Sequence, residues 1–218
     1  MKNRNRAVPL PDQKNYEYSS KLAYDIACEE LRQITDIEEQ CRKSGAACST
    51  NGNKTIITLE YLNQPYQILL AGDEISLTHD TDEVPMRDKL LILHYLTHAR
   101  GTALTNRITT FREIPEGINY FPTFFKRAIK PLIDFFGKEP GLLITAAEKL
   151  GGYAADYGDA SVSISAFPHL PITPVIWNES EEFSPTANVL FDSTVSDYLP
   201  AYDITVLCES IAWKLVRA

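Results

Sequence analysis

The segment VPMRDKLLILHYLTHARG, residues 84–101, constrains the fold more than any other part of the chain. Pro85 stands near its start and Gly101 past its end, which is the usual asymmetry of a helix. Placed at about 100° per residue, Met86, Leu90, Leu93 and Leu96 gather on one side, and Leu91, Ile92 and Tyr95 cover most of the rest. A helix that is apolar nearly all round is buried nearly all round, so other elements have to enclose it. The exception is a narrow polar stripe of Arg87, His94 and His98.

The rest of the chain supplies that enclosure. Tyr24, Ala27, Leu31, Ile34 and Cys41 recur at helical steps and predict one long amphipathic helix that stops at Gly45. TIITLEYL (Thr55 to Leu62), YQILLA (Tyr66 to Ala71) and ISLTH read as a three-stranded antiparallel meander. RITTFREI predicts a strand and PEGINY a turn. Pro122 to Gly137 reads as a helix that Pro131 kinks or divides. EPGLLITAAEKLGG is a shorter helix stopped by Gly151. DASVSISAF and PITPVIW form a hairpin, and the second strand, with two prolines, is expected at an edge or with a bulge. NVLFDS is a short strand, and DITVLCESIAWKLVRA is a terminal helix with Asp203 as its N-cap. The expected fold is therefore α+β: a flexible arm over residues 1–15 and a single domain over 16–218. That domain has an antiparallel or mixed sheet with an N-terminal meander and a C-terminal hairpin, packed by about five helices.

Composition and motifs narrow the function by exclusion. The 218 residues suffice to bury a core, and the net charge of −8 disfavours general binding to nucleic acid. No apolar run approaches the roughly 18 residues of a membrane span, and Pro9 and Pro11 follow the basic start where a signal peptide would be apolar. A cytoplasmic protein without membrane insertion is expected. Cys28, Cys41, Cys48 and Cys208 contain no C-x-x-C pair and read as reduced thiols. Nucleophile-elbow, phosphate-loop and zinc-hydrolase motifs are absent from the sequence.

Several residues stand out as site candidates. His94 and His98, four apart on one helix face, can reach one metal ion, although no third ligand is offered nearby. His169 sits in a stiff Pro-His-Leu-Pro tip. Glu179, Glu181 and Glu182 crowd one turn ahead of Asp192, either as an exposed acidic tip or as a site for a hard cation. Two functional readings follow, and a third stays open. A binding protein for a large planar ligand, such as a tetrapyrrole, would take aromatic walls from Trp177, Tyr120, Phe121 and Phe124. Arg112 would hold a carboxylate, and a histidine would ligate a metal. An enzyme would use the histidines with Glu181, Glu182 and Asp192. An interaction module would pair a partner strand along Ile172 to Trp177.

The ordered motifs LHYLTHARGTAL, ITTFREIPEGINYFPTFF, LGG, PITPVIWNESEEF, NVLFD and DYLPAYD resemble the domain-of-unknown-function family 3786, proteins mainly of anaerobic bacteria and archaea. The resemblance runs from about Leu90 to the C-terminus. It brings no established activity; the resemblance implies relatives that look like fusions to iron-sulfur modules and an association with corrinoid or other tetrapyrrole metabolism. The chain departs from that pattern at Glu116-Gly117, where the family carries a glycine pair. It departs again at Glu179-Ser180-Glu181-Glu182-Phe183-Ser184, where the family carries a Gly-Asp-Glu-Glu-Phe-Pro-like tip.

Overall fold

A computed structural model of the chain describes residues 13–52, 54–71, 74–78 and 83–218. The expected arm lies outside the described residues as far as residue 12, and helix α1 (Gln13–Arg32) begins directly after it. The single N-terminal helix expected from periodicity is two helices. Asp36 accepts a hydrogen bond from the Glu39 N–H at 2.9 Å and starts α2 (Ile37–Ser44) as a fresh N-cap. Gly45, in the left-handed region at φ +73°, closes it.

Two antiparallel sheets follow. The first has the sequential order β1 (Ala47–Asn51), β2 (Lys54–Tyr61), β3 (Gln64–Ala71) and β4 (Glu74–Thr78). It contains the expected meander and adds β1, which pairs with β2 through Cys48 opposite Ile57. The second sheet is built from β5 (Ile108–Thr110), β6 (Tyr153–Ala154), β7 (Ala160–Phe167), β8 (Leu170–Trp177) and β9 (Thr186–Asp192), in the order β5-β9-β8-β7-β6. The expected hairpin is β7–β8. However, β8 is an interior strand between β7 and β9, not an edge, so the surface that would have recruited a partner strand is already paired. The prolines are tolerated locally. Pairing with β9 runs unbroken from Ile172 to Trp177, whereas pairing with β7 skips Thr173 and Pro174 and shifts register between Ser165 and Phe167, beside Pro171.

The segment after β5 also differs from its expectation. A 3₁₀ turn (Phe111–Glu113) cuts the strand short, because Glu113 turns back onto the Thr110 N–H and hydroxyl, each at 2.7 Å. PEGINY opens a helix: α4 (Gly117–Phe124) passes through a π turn (Phe125–Ile129) into α5 (Lys130–Phe136). The wide turn lies directly before Pro131, whose nitrogen has no hydrogen to donate to the Arg127 carbonyl. The Lys130 N–H bonds instead to the Phe125 carbonyl five residues back. Helices α6 (Leu142–Glu148) and α7 (Ala201–Val216) complete seven α-helices among the described residues. Two more than expected arise from the breaks at Asp36 and at the π turn. Among the described residues no helix is long and apolar enough to cross a membrane.

The apolar segment 84–101 forms α3 (Met86–His98), which occupies the middle of the core. Leu91, Ile92, Leu93, Tyr95 and Leu96 are each at most 1% exposed. The Tyr95 ring stacks on Phe167 of β7 at 4.1 Å and lies 5.6 Å from Tyr198. Tyr61 of β2 meets the same Phe167 at 5.0 Å, so one aromatic series joins both sheets to the helix. The Tyr95 hydroxyl donates to the Ser44 carbonyl at 3.0 Å and accepts from the His169 N–H at 3.2 Å. At the C-terminus of α3 the Gln40 side-chain amide lies 2.7, 3.1 and 3.0 Å from the carbonyls of Leu96, Thr97 and Ala99. Two N–H groups thus serve three carbonyls that no intrahelical donor reaches.

Gln40→Leu keeps the volume and removes this cap. It should cost about 2 kcal/mol of stability, read from urea unfolding at unchanged denaturant slope; a loss below about 0.5 kcal/mol would mean that water replaces the amide. A second test lies at Glu116-Gly117. Glu116 sits in the left-handed region at φ +62°, and a side chain at Gly117 would meet the Phe111 carbonyl oxygen at 1.8 Å. Glu116→Gly should therefore stabilise the fold by about 1 kcal/mol, whereas Gly117→Ala should destabilise it.

Candidate functional site

On the polar stripe of α3, Arg87 and His98 are exposed and His94 is partly buried. His94 looks across to the first turn of α7, where its Nδ1 lies 2.8 Å from Asp203 Oδ2. Asp203 is 6% exposed, and Pro200, not Asp203, is the N-cap of α7. The expected capping role is thus replaced by a pairing with the histidine. An acidic group in the first turn remains favourable to the helix dipole, so the position serves two ends. The carboxylate fixes the ring: Nδ1 carries a proton toward Asp203, and Nε2 is the nitrogen left to act outward. The hydrogen bond to Asp203 raises the His94 pKa above its ordinary value; burial works against it, and the charges of Asp203 and Glu30 add to it.

Beside this pair lies a cleft of 330 Å³ between α1, α3, the π turn and α7. Ala23, Met86, Leu90, Leu91 and Val206 make its apolar wall. Ser20, Arg87, Arg127 and Tyr202 join His94 and Asp203 as its polar groups. Arg127 comes from the π turn and is ion-paired through Nη2 with Glu209 of α7. Arg87 meets Asp88 through Nε at 3.8 Å, longer than a hydrogen bond. Asp88 itself is buried and accepts from the Tyr61 hydroxyl at 3.2 Å. A mostly apolar concavity with a few convergent polar groups is the usual form of a small-molecule site.

The other candidates scatter. His98 is exposed, its ring 5.7 Å from that of His94, in a separate surface depression with Arg100, Asp197 and Tyr198. Among the described residues no group of three His, Cys, Asp or Glu gathers where a metal ion could sit, so the pair meets no third ligand. His169 packs by the Tyr198 ring at 5.8 Å and against Gly45, on the hairpin tip that Tyr95 pins. Phe124 is fully buried and stacked on Phe111 at 3.9 Å; it is core and not a pocket wall. Arg112 lies over the Phe121 ring at 3.7 Å, on the exposed side of α4 that also carries Tyr120. Trp177 ends β8, half exposed. Glu181 lies in an exposed turn closed by Ser180 and Phe183. Asp192 is a clasp: its carboxylate accepts from the backbone and hydroxyl groups of Thr105 and Thr194 and from the Asn106 N–H. Burial pushes its pKa up, but these bonds outweigh it and hold it below the ordinary range. Cys41 lies beside Cys48, and burial pushes its thiol up to about 12, which keeps it protonated.

Sequence reasoning found His94 and Arg87 and missed Asp203 and Arg127. An aspartate two residues into an apolar helix was legible, but it fits a cap as well as a buried partner. Linkage makes the pairing testable. Because the folded pKa of His94 lies above its unfolded value of about 6.5, the pairing stabilises fully below that value. Its contribution is lost as pH rises through the folded pKa. Asp203→Asn should lower the His94 pKa in an NMR titration, and the stability gap between wild type and variant should shrink from pH 5.5 to pH 8.5. A gap that stays constant with pH would contradict the pairing.

No curated protein and no solved structure matches the chain. A family model described as a domain of unknown function, DUF3786, matches residues 36–213, which takes in α2 to α7 and leaves α1 outside. The chain belongs to the DUF3786 family.

Proposed function

We propose that the protein binds a small molecule, without catalysis, in the cleft beside His94. The observation that carries this reading is a histidine oriented by a buried carboxylate at the rim of an apolar concavity flanked by two arginines. A tetrapyrrole or corrinoid is a poorer fit. Of the residues expected to wall a planar macrocycle, Phe124 stands in the core, Tyr120 and Phe121 on α4 and Trp177 at the end of β8, and none lines the cleft. A volume of 330 Å³ is also at the low end of the roughly 300–1,000 Å³ of small-molecule sites.

An enzymatic reading is favoured by one observation, the His94–Asp203 pair, which has the form of a general base held by its orienting carboxylate. Its acidic partners would not be those expected, because Asp192 is committed to its clasp and Glu181 to an exposed turn. A cytoplasmic location accords with four thiols outside any disulfide. One buried cluster drawing on both sheets and on α1 to α7 supports residues 16–218 as a single domain.

The test fills the cleft. Leu90 lines it and is only partly buried, so Leu90→Trp adds bulk there without loading the core. The apolar dye 1-anilinonaphthalene-8-sulfonate should bind the wild-type protein at one per chain, and Leu90→Trp should weaken that binding about tenfold or more. Equal binding by a folded Leu90→Trp protein would remove the cleft as the ligand site.

A further inference from the structure

Arg87, Arg127 and His94 line the cleft together with one carboxylate, Asp203. Arg127 is ion-paired with Glu209 and His94 with Asp203, so among the described residues Arg87 is the lining cation outside a close ion pair. Arg87 is 44% exposed and meets Asp88 through Nε alone, and only beyond hydrogen-bond distance. A guanidinium offers five N–H donors in a planar fork matched to a carboxylate. His94 when protonated adds a donor at Nε2. The opposite wall offers aliphatic surface from Met86, Leu90, Leu91 and Val206.

We propose that the ligand class of this cleft is a small carboxylic acid with a short apolar body: the carboxylate lies at Arg87 and His94 with Arg127 nearby, and the body lies along the aliphatic wall. The inference rests on the cleft being the ligand site and adds its chemistry. An alkylammonium of the same shape would face the Arg87 guanidinium. A neutral alcohol would leave charged donors without an anion, which forfeits the stronger charge-assisted hydrogen bonds.

Protonation of His94 gives the binding a direction in pH. The charged groups around that ring are Asp203 of α7, Glu30 of α1, Arg87 and His98 on α3 itself, and Arg127 of the π turn. His94 lines the cleft and His98 does not, so a pH response of binding isolates the His94 ring.

Calorimetric titration with hexanoate, hexanol and hexylammonium tests the class. Hexanoate should bind at pH 6 and displace the dye. The other two should bind at least about tenfold more weakly, and Arg87→Gln and His94→Gln should each weaken hexanoate by about tenfold. Binding should also fall between pH 6 and pH 9 in wild type and stay flat in His94→Gln, while His98→Gln behaves as wild type. If hexanol or hexylammonium binds as tightly as hexanoate, or if both Gln variants bind hexanoate unchanged, the carboxylate class is wrong while dye binding still marks the cleft. Undetectable hexanoate binding alongside tight dye binding has the same meaning. If the dye itself is indifferent to Leu90→Trp, the cleft is not the site and both readings fall.

Discussion

The burial of α3 on nearly every side is the constraint on which the rest of the structure depends. A helix in that position gains from every apolar face, but each polar group it retains must find a partner inside the protein, because an unpaired buried donor or acceptor costs about 1–3 kcal/mol. The chain meets each case with a different element. Gln40 of α2 covers the last carbonyls of α3, Tyr61 of β2 covers Asp88, and Asp203 of α7 covers His94. Tyr95 turns the same requirement outward, since its hydroxyl holds the end of α2 and the β7–β8 tip. Four polar contacts therefore bring the two sheets and the flanking helices to one helix.

The candidate site is a consequence of that arrangement. The stripe of α3 that the sheets do not cover falls opposite the start of α7, and the first turn of α7 supplies the carboxylate that a half-buried histidine requires. The third wall comes from a backbone irregularity. Pro131 cannot complete the helical ladder, the chain widens into a π turn, and that turn carries Arg127 to Glu209 and to the cleft. Helix α1, which lies outside the matched family region, closes the fourth side through Ser20 and Ala23.

Much of this was legible in the sequence, and the exceptions have physical causes. The α+β class, the meander, the β7–β8 hairpin and the burial of α3 follow from apolar period alone. The break at Asp36 was hidden because Cys41 continues the helical period of α1 across it, so only the aspartate and the following glutamates marked a new start. Of the two placements that the prolines of β8 allow, an edge or a bulge, the structure takes the second: the strand is interior and its pairing with β7 shifts register. The left-handed backbone of Glu116 was not legible, because a glutamate gives no sign of a positive φ. The site was half legible: spacing put His94 and Arg87 on one face, whereas Asp203 and Arg127 join them only through the crossing of α3, α7 and the π turn. The aromatic residues chosen as ligand walls were core residues in the case of Phe124 and surface residues in the case of Tyr120 and Trp177, a distinction that residue type does not carry.

Native-state hydrogen exchange tests the central claim most directly. If α3 is the element around which the others assemble, the amides of Leu91 to Leu96 should exchange only through global unfolding. Their opening free energy should equal that of the whole fold and track it as denaturant is added. If those amides open at a lower free energy than the central strands β2 and β8, the helix is a passenger on the sheets, and the account of the fold and of the cleft built on it is wrong.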